Sequence, residues 1–125
     1  MVDASAALSA LLHADQARAL LPREQIHVPH LADIEIASGL RRLVLAGVVT
    51  APQAWSALST WRRLAVIRHP ASALLERIWE LRDNLSAYDA SYVALAERLG
   101  CHLLTADARL SRASGARCPI TVLPG

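Results

Sequence analysis

Residues 84–107 read NLSAYDASYVALAERLGCHLLTAD. A helical pattern runs here directly into a short apolar strand. Asp89, Val93 and Ala96 recur at spacings of four and seven, on one stripe of a helix over Ser86–Leu99, and Cys101–Leu104 forms an apolar run of strand length. The same alternation extends both ways. Strands are expected at Val2, Ile26–Val28, Leu64–Arg68 and Ile120–Leu123. Helices are expected near Ser5–Leu21 with a break about His13, and over Leu31–Ala46, Pro52–Arg62, Ala71–Arg82 and Asp107–Ala113. Strands alternating with helices over this length predict an α/β fold: a small, mostly parallel central sheet covered by helices on both faces.

Composition sets the outer bounds. The chain has 125 residues, 54% of them hydrophobic, and a formal charge of +2; all 13 basic residues are arginine and there is no phenylalanine. The core must therefore be built from Ala, Leu, Val and Ile with three Trp and two Tyr. No linker, repeat or charge block divides it, so residues 1–125 read as one domain, and neither a disordered tail nor a low-complexity chain fits. The small net charge does not itself mark a nucleic-acid binder, because a basic stripe can hide inside a near-neutral total.

Met1–Leu21 lacks the basic start of a signal peptide and is interrupted by Asp3, His13 and Asp15. Leu43–Trp61 is broken by Gly47, Thr50, Pro52, Gln53, Ser56 and Ser59, so no membrane segment is expected. A cytoplasmic protein with Cys101 and Cys118 reduced is the consistent expectation.

In an open α/β sheet, ligands bind where the carboxyl ends of strands meet the amino ends of helices. Four acids fall at that edge by position. Asp3 ends the first strand, Glu35 and Asp89 lie in the first turns of their helices, and Asp107 follows the strand ending Leu103-Leu104-Thr105. Each has a structural reading as a helix cap; Ser86 with Asp89 fits the capping box. A cap explains Asp89's height on the helix but not its inward direction. Glu35 shares a face with Leu31, Ser38 and Arg42, whereas Asp33 points nearly opposite and is expected to be solvated. Four carboxylates at one partly buried edge repel and raise one another's pKa unless a cation neutralises them. All-oxygen ligands suit Mg²⁺ or Mn²⁺, and the chemistry such a set supports is phosphodiester hydrolysis.

At these residues the chain resembles the PIN-domain ribonucleases, and more narrowly the VapC-type toxins of bacterial toxin–antitoxin pairs. The matching segments are Val2-Asp3-Ala4-Ser5, Pro29-His30-Leu31 through Glu35 to Leu40-Arg41-Arg42, the run Asn84–Glu97, and Leu104-Thr105-Ala106-Asp107-Ala108-Arg109-Leu110. The resemblance implies a three-layer α/β/α fold. It implies a catalytic and metal-binding quartet of Asp3, Glu35, Asp89 and Asp107, with Thr105 as the supporting hydroxyl. It further implies Mg²⁺-dependent endoribonuclease activity, homodimerisation, and neutralisation by a small VapB-type antitoxin whose C-terminal segment occupies the site. Asp3 and Asp89 are taken as the principal anchors, with Glu35 and Asp107 completing the set directly or through water, and cleavage leaves 5′-phosphate and 3′-hydroxyl ends. Only Met1 and Val2 precede Asp3, fewer residues than many relatives carry, which leaves that backbone beside a mobile terminus.

Arg42 and Arg109 are placed to hold RNA phosphates. His27 and His30 form HxxH, but Pro29 interrupts them and no third soft ligand stands at zinc spacing. His13, His69 and His102 read as ordinary helix-end or strand-start residues. No GxSxG, P-loop or GxGxxG occurs, so serine hydrolase and nucleotide-switch chemistry lack their residues. Trp55 with Leu58, and Trp79 beside Leu74, Ile78 and Leu81, read first as core, with an antitoxin or dimer surface as the sharper alternative. The rival functions are an RNA-processing PIN nuclease without an antitoxin, and a catalytically silent binding module on the same scaffold.

Overall fold

The computed structural model describes residues 1–12 and 25–123. In chain order they form helix α1 (Ala4–Leu12), strand β1 (Ile26–Pro29), helices α2 (Ala32–Leu45) and α3 (Ala51–Arg63), and strand β2 (Val66–His69). A 3-10 turn (Ser72–Leu74) follows, then helices α4 (Leu75–Glu80) and α5 (Ala87–Leu99), strand β3 (Leu103–Thr105), helix α6 (Ala108–Ser111) and strand β4 (Ile120–Val122). The expected break at His13 and helix continuation to Leu21 lie outside the described residues. Elsewhere the alternation read from sequence is present, with ends displaced by one or two residues; the expected Ala71–Arg82 helix is a 3-10 turn followed by the short α4.

Every strand pairing is parallel. β1 runs beside β2 with Val28 opposite Arg68, and β3 beside β4 with Leu104 opposite Thr121. Val2 adds a single parallel bridge to Leu104 on the other edge of β3. Two hydrogen bonds make it: Leu104 N–H donates to the Met1 carbonyl, and Asp3 N–H to the Leu104 carbonyl. Met1 and Val2 are buried, so the backbone before Asp3 is fastened into the sheet rather than left at a mobile terminus.

Helices complete the three-layer α/β/α arrangement. α1 packs on α2, α3 and β3, while α5 packs with α4 against both β1 and β3, so α5 spans the two ladders. Its residues Ala90–Ala96 are all buried. A helix covered all round needs small or apolar side chains on every face, which Ala90, Ser91, Val93, Ala94, Leu95 and Ala96 provide. Ser86 caps it by accepting from Asp89 N–H (3.1 Å), and Gly100, at φ 64°, ends it in the left-handed conformation that glycine adopts without strain. Where α1 meets α2, Gly39 lies against the Leu8 side chain, in space that a Cβ would take.

Three expectations change. Asp33 is solvent-accessible, its side chain 41% exposed, but not free: it accepts from Trp61 Nε1 (2.8 Å) and forms a two-pronged ion pair with Arg68, fastening α2 to α3 and β2. Trp55 and Trp79 are not core. α3 buries Ala54, Ala57 and Trp61, a stripe that turns Trp55 outward to 60% exposure and leaves Leu58 at its edge. Trp79 is 68% exposed, with the Arg82 guanidinium 4.7 Å above its ring. His69 ends β2 instead of starting a strand, and its Nε2 lies 3.0 Å from His27 Nδ1 in a shared hydrogen bond. Cys101 and Cys118 are free thiols.

Burial, then the neighbouring charges of His27, His30 and Arg98, holds the His69 imidazole below its ordinary pKa. A base whose folded pKa is depressed favours the fold in its neutral form. That contribution is complete above the unfolded value of about 6.5 and is lost as pH falls towards the folded value. The Tm advantage of the parent over His69→Gln should therefore shrink between about pH 7 and about pH 5 in thermal melts, and an advantage constant across that window would refute the coupling.

Candidate active site

The quartet read from sequence lines one cavity. Asp3, Ala4, Ser5, Leu8, Glu35, Arg42, Asp89, Tyr92 and Asp107 enclose about 160 Å³ where α1, α2, α5 and the β3 end meet. A second cleft of about 210 Å³ shares Asp89 and Asp107 and is continued by Asn84, Ser86 and Arg109.

Asp3 is the most enclosed of the four, 5% exposed. It caps α1, since its Oδ1 accepts from Ala6 N–H (2.9 Å), so the cap and site readings coexist in one side chain. Ser5 Oγ donates to the same oxygen (2.7 Å) and Thr105 Oγ1 donates to Oδ2. Ser5 also accepts from Ala106 N–H, and Thr105 from Asp107 N–H, so two hydroxyls tie the start of the chain to the end of β3. Burial raises the Asp3 pKa, the hydrogen bonds oppose it, and Asp89 adds a repulsive contribution.

Glu35 and Asp89 are half-buried, and both pKa values are raised, first by burial and then by neighbouring carboxylates. Ser86 caps α5 without a return bond from the Asp89 carboxylate, whereas at α3 both bonds of the capping box between Thr50 and Gln53 are made. Asp89 thus keeps its oxygens for the cavity. Glu35 Oε1 is buried and makes no hydrogen bond of good geometry among the described residues, and the same is true of Tyr92 Oη beside it. Burial, with Glu35 second, pushes the Tyr92 phenol far above its ordinary range.

Asp107 departs from the expectation of four mutually raised acids. Arg109 grips both its oxygens, at 3.1 Å to Oδ1 and 3.0 Å to Oδ2, and holds its pKa below the usual carboxylate value. Arg109 is thereby committed to a carboxylate, while Arg42 lines the cavity and lowers the pKa of Glu35. Among the described residues, no three His, Cys, Asp or Glu side chains are gathered tightly enough to hold one ion directly. The donors nevertheless fit a hard divalent cation: they are all oxygen, three are destabilised as anions, and one oxygen is orphaned. Such a cation, above all Mg²⁺, is held by one or two carboxylates and several waters.

Sequence reading missed Ser5 and Tyr92. The signals were present: Ser5 follows Asp3 by two residues, and Tyr92 lies one turn beyond Asp89 on the same helix face.

The PIN domain family model matches residues 1–116. Ribonuclease VapC9 of Mycobacterium tuberculosis (strain ATCC 25618 / H37Rv) is 64% identical over 124 residues, covering 99% of this chain and 98% of that relative. A VapC ribonuclease of Mycobacterium bovis matches to the same extent. Ribonuclease VapC1 of Mycobacterium tuberculosis is 41% identical over 128 residues, covering 98% and 96% of the two chains. Among solved structures, the crystal structure of PAE2754 from Pyrobaculum aerophilum aligns with a TM-score of 0.71 at 29% identity, covering 95% of this chain and 80% of that one. The chain belongs to the PIN-domain family, and its near-full-length identity groups it with the VapC ribonucleases of that family.

Thr105→Val should remove a donor to the buried Asp3 carboxylate and the acceptor of Asp107 N–H. Urea unfolding should show a loss of about 1–3 kcal/mol, with Thr105→Ser largely restoring it. Equal stabilities of Thr105→Val and the parent would show that the hydroxyl does not hold Asp3.

Proposed function

We propose that this protein is the toxic member of a toxin–antitoxin pair: an endoribonuclease that hydrolyses phosphodiester bonds in RNA with a divalent cation, Mg²⁺ or Mn²⁺. The observation that carries the proposal is the single cavity lined by Asp3, Glu35, Asp89 and Asp107, in which three carboxylates are raised in pKa and, among the described residues, form no salt bridge with a cationic side chain. When bound there, the cation supplies an activated water and offsets charge on the departing 3′ oxygen.

The residues of the chain divide the remaining work. Asp3, fixed by Ser5, Ala6 and Thr105, presents its remaining lone pairs to the cavity, and Asp89 faces it from the first turn of α5. These two are the principal anchors, and Glu35 offers the unpartnered Oε1. Asp107 acts through water or after Arg109 lets go, because its oxygens are engaged in the ion pair. Arg42 stands in the cavity wall, where its fork suits a phosphate of the RNA backbone. Arg109 reaches the second cleft and exchanges Asp107 for a phosphate when RNA enters. Cleavage leaves 5′-phosphate and 3′-hydroxyl ends.

The protein acts in the cytoplasm as a homodimer and is neutralised by a small VapB-type antitoxin. Exposed apolar side chains support a partner-binding role: Leu45 on α2, Val48 in the connection that follows, Trp55 on α3, and Leu75 and Trp79 on α4.

RNA cleavage with Mg²⁺ should stop when the ion is chelated. Asp3→Asn and Asp89→Asn should each lower kcat by roughly two to three orders of magnitude, the loss that follows removal of one preorganised electrostatic group. Full activity in chelator would overturn the metal-dependent reading. Binding of the co-expressed antitoxin should shift the emission of Trp55 or Trp79, tested with Trp55→Phe and Trp79→Phe; unchanged emission would remove both residues from the interface.

A further inference from the structure

Two buried polar atoms in the cavity wall lack a hydrogen bond of good geometry among the described residues: Tyr92 Oη and Glu35 Oε1. Tyr92 is 1% exposed and lies on α5 one turn beyond Asp89. Leaving a buried hydroxyl without a good partner is costly, so packing alone would be served better by the same ring without its oxygen. The orphans are of opposite kind. A phenol is protonated near neutral pH and can donate, whereas an ionised carboxylate can only accept. Both belong to the same cavity wall, and each already shifts the pKa of the other, so the two groups lie within reach of one another.

We propose that Tyr92 is a positioning residue for the cation site. Its hydroxyl donates to the Glu35 carboxylate and orients that side chain towards the divalent cation that Asp3 and Asp89 hold. The inference rests on the proposed function, since it needs a cation in the cavity. In this role Tyr92 need touch neither RNA nor a transferred proton. It acts through Glu35, as the outer partners of metal-ligating groups do when they fix a ligand's orientation. A bond completed when the cation is bound contributes to affinity for the ion rather than to the stability of the metal-free fold.

Tyr92→Phe deletes one oxygen and keeps the ring. Mg²⁺ titration by calorimetry on the full-length chain near neutral pH, with thermal melts of the same samples, separates the alternatives. The proposal expects Mg²⁺ affinity to fall about tenfold, the low end of what loss of an outer partner costs, while the metal-free Tm holds or rises. It also expects the effect to vanish in the Glu35→Gln background, because the two groups act as one unit. Unchanged Mg²⁺ affinity in Tyr92→Phe would overturn the inference, as would an equal loss with and without the Glu35 carboxylate. Asp3→Asn serves as the reference. If it abolishes Mg²⁺ binding while Tyr92→Phe leaves the affinity unchanged, the cation site stands and only the role of Tyr92 falls. If neither variant alters binding, the cation site itself falls.

Discussion

Burying one carboxylate is the constraint on which the rest of this structure depends. Taking the Asp3 charge out of water is costly unless donors replace the lost hydration. They come from three directions: Ala6 N–H at the first turn of α1, Ser5 beside it, and Thr105 at the far end of the chain. Each donor fixes more than the carboxylate. The cap sets where α1 begins, the Leu104 bonds set the register of the first residues against β3, and Thr105 in turn receives the N–H of Asp107 and places the start of α6.

Around that centre the charges are sorted. Asp33 with Arg68, and Glu97 with Arg77 and the Arg117 N–H, connect elements away from the cavity and have their pKa values lowered. Asp3, Glu35 and Asp89 are left without such partners, and their pKa values are raised. A chain of net charge +2 therefore conceals an acidic cavity within an arginine-bearing surface. That distribution suits an enzyme that must attract a polyanion while holding a cation.

The residues of the cavity were legible because each occupies a locally coded place. Asp3 and Asp107 stand beside apolar strand signals and before helical ones, and Glu35 and Asp89 are one turn or less into their helices; position alone brings such residues to the same sheet edge. What sequence did not display were pairings between distant elements. Asp33 looked free in solvent because the local period says nothing of Trp61 and Arg68, 28 and 35 residues away. Trp55 looked buried because Trp55 and Leu58 made a plausible stripe, yet the alanines at 54 and 57 provide the close approach that α3 needs. Asp107 looked like a free ligand because the grip of Arg109 depends on side-chain direction. Tyr92 lay inside an apolar run, where its place one turn beyond Asp89 reads as packing.

The hydrogen bond between Asp3 and Thr105 spans 102 residues, and the backbone of Asp3 rests on Leu104. No part of the chain that stops short of β3 can assemble the cavity, because its innermost carboxylate would lack both its hydroxyl donor and its strand partner. The order of synthesis therefore matters to folding: a growing chain holds its first residues without their strand partner until β3 is free to close on them.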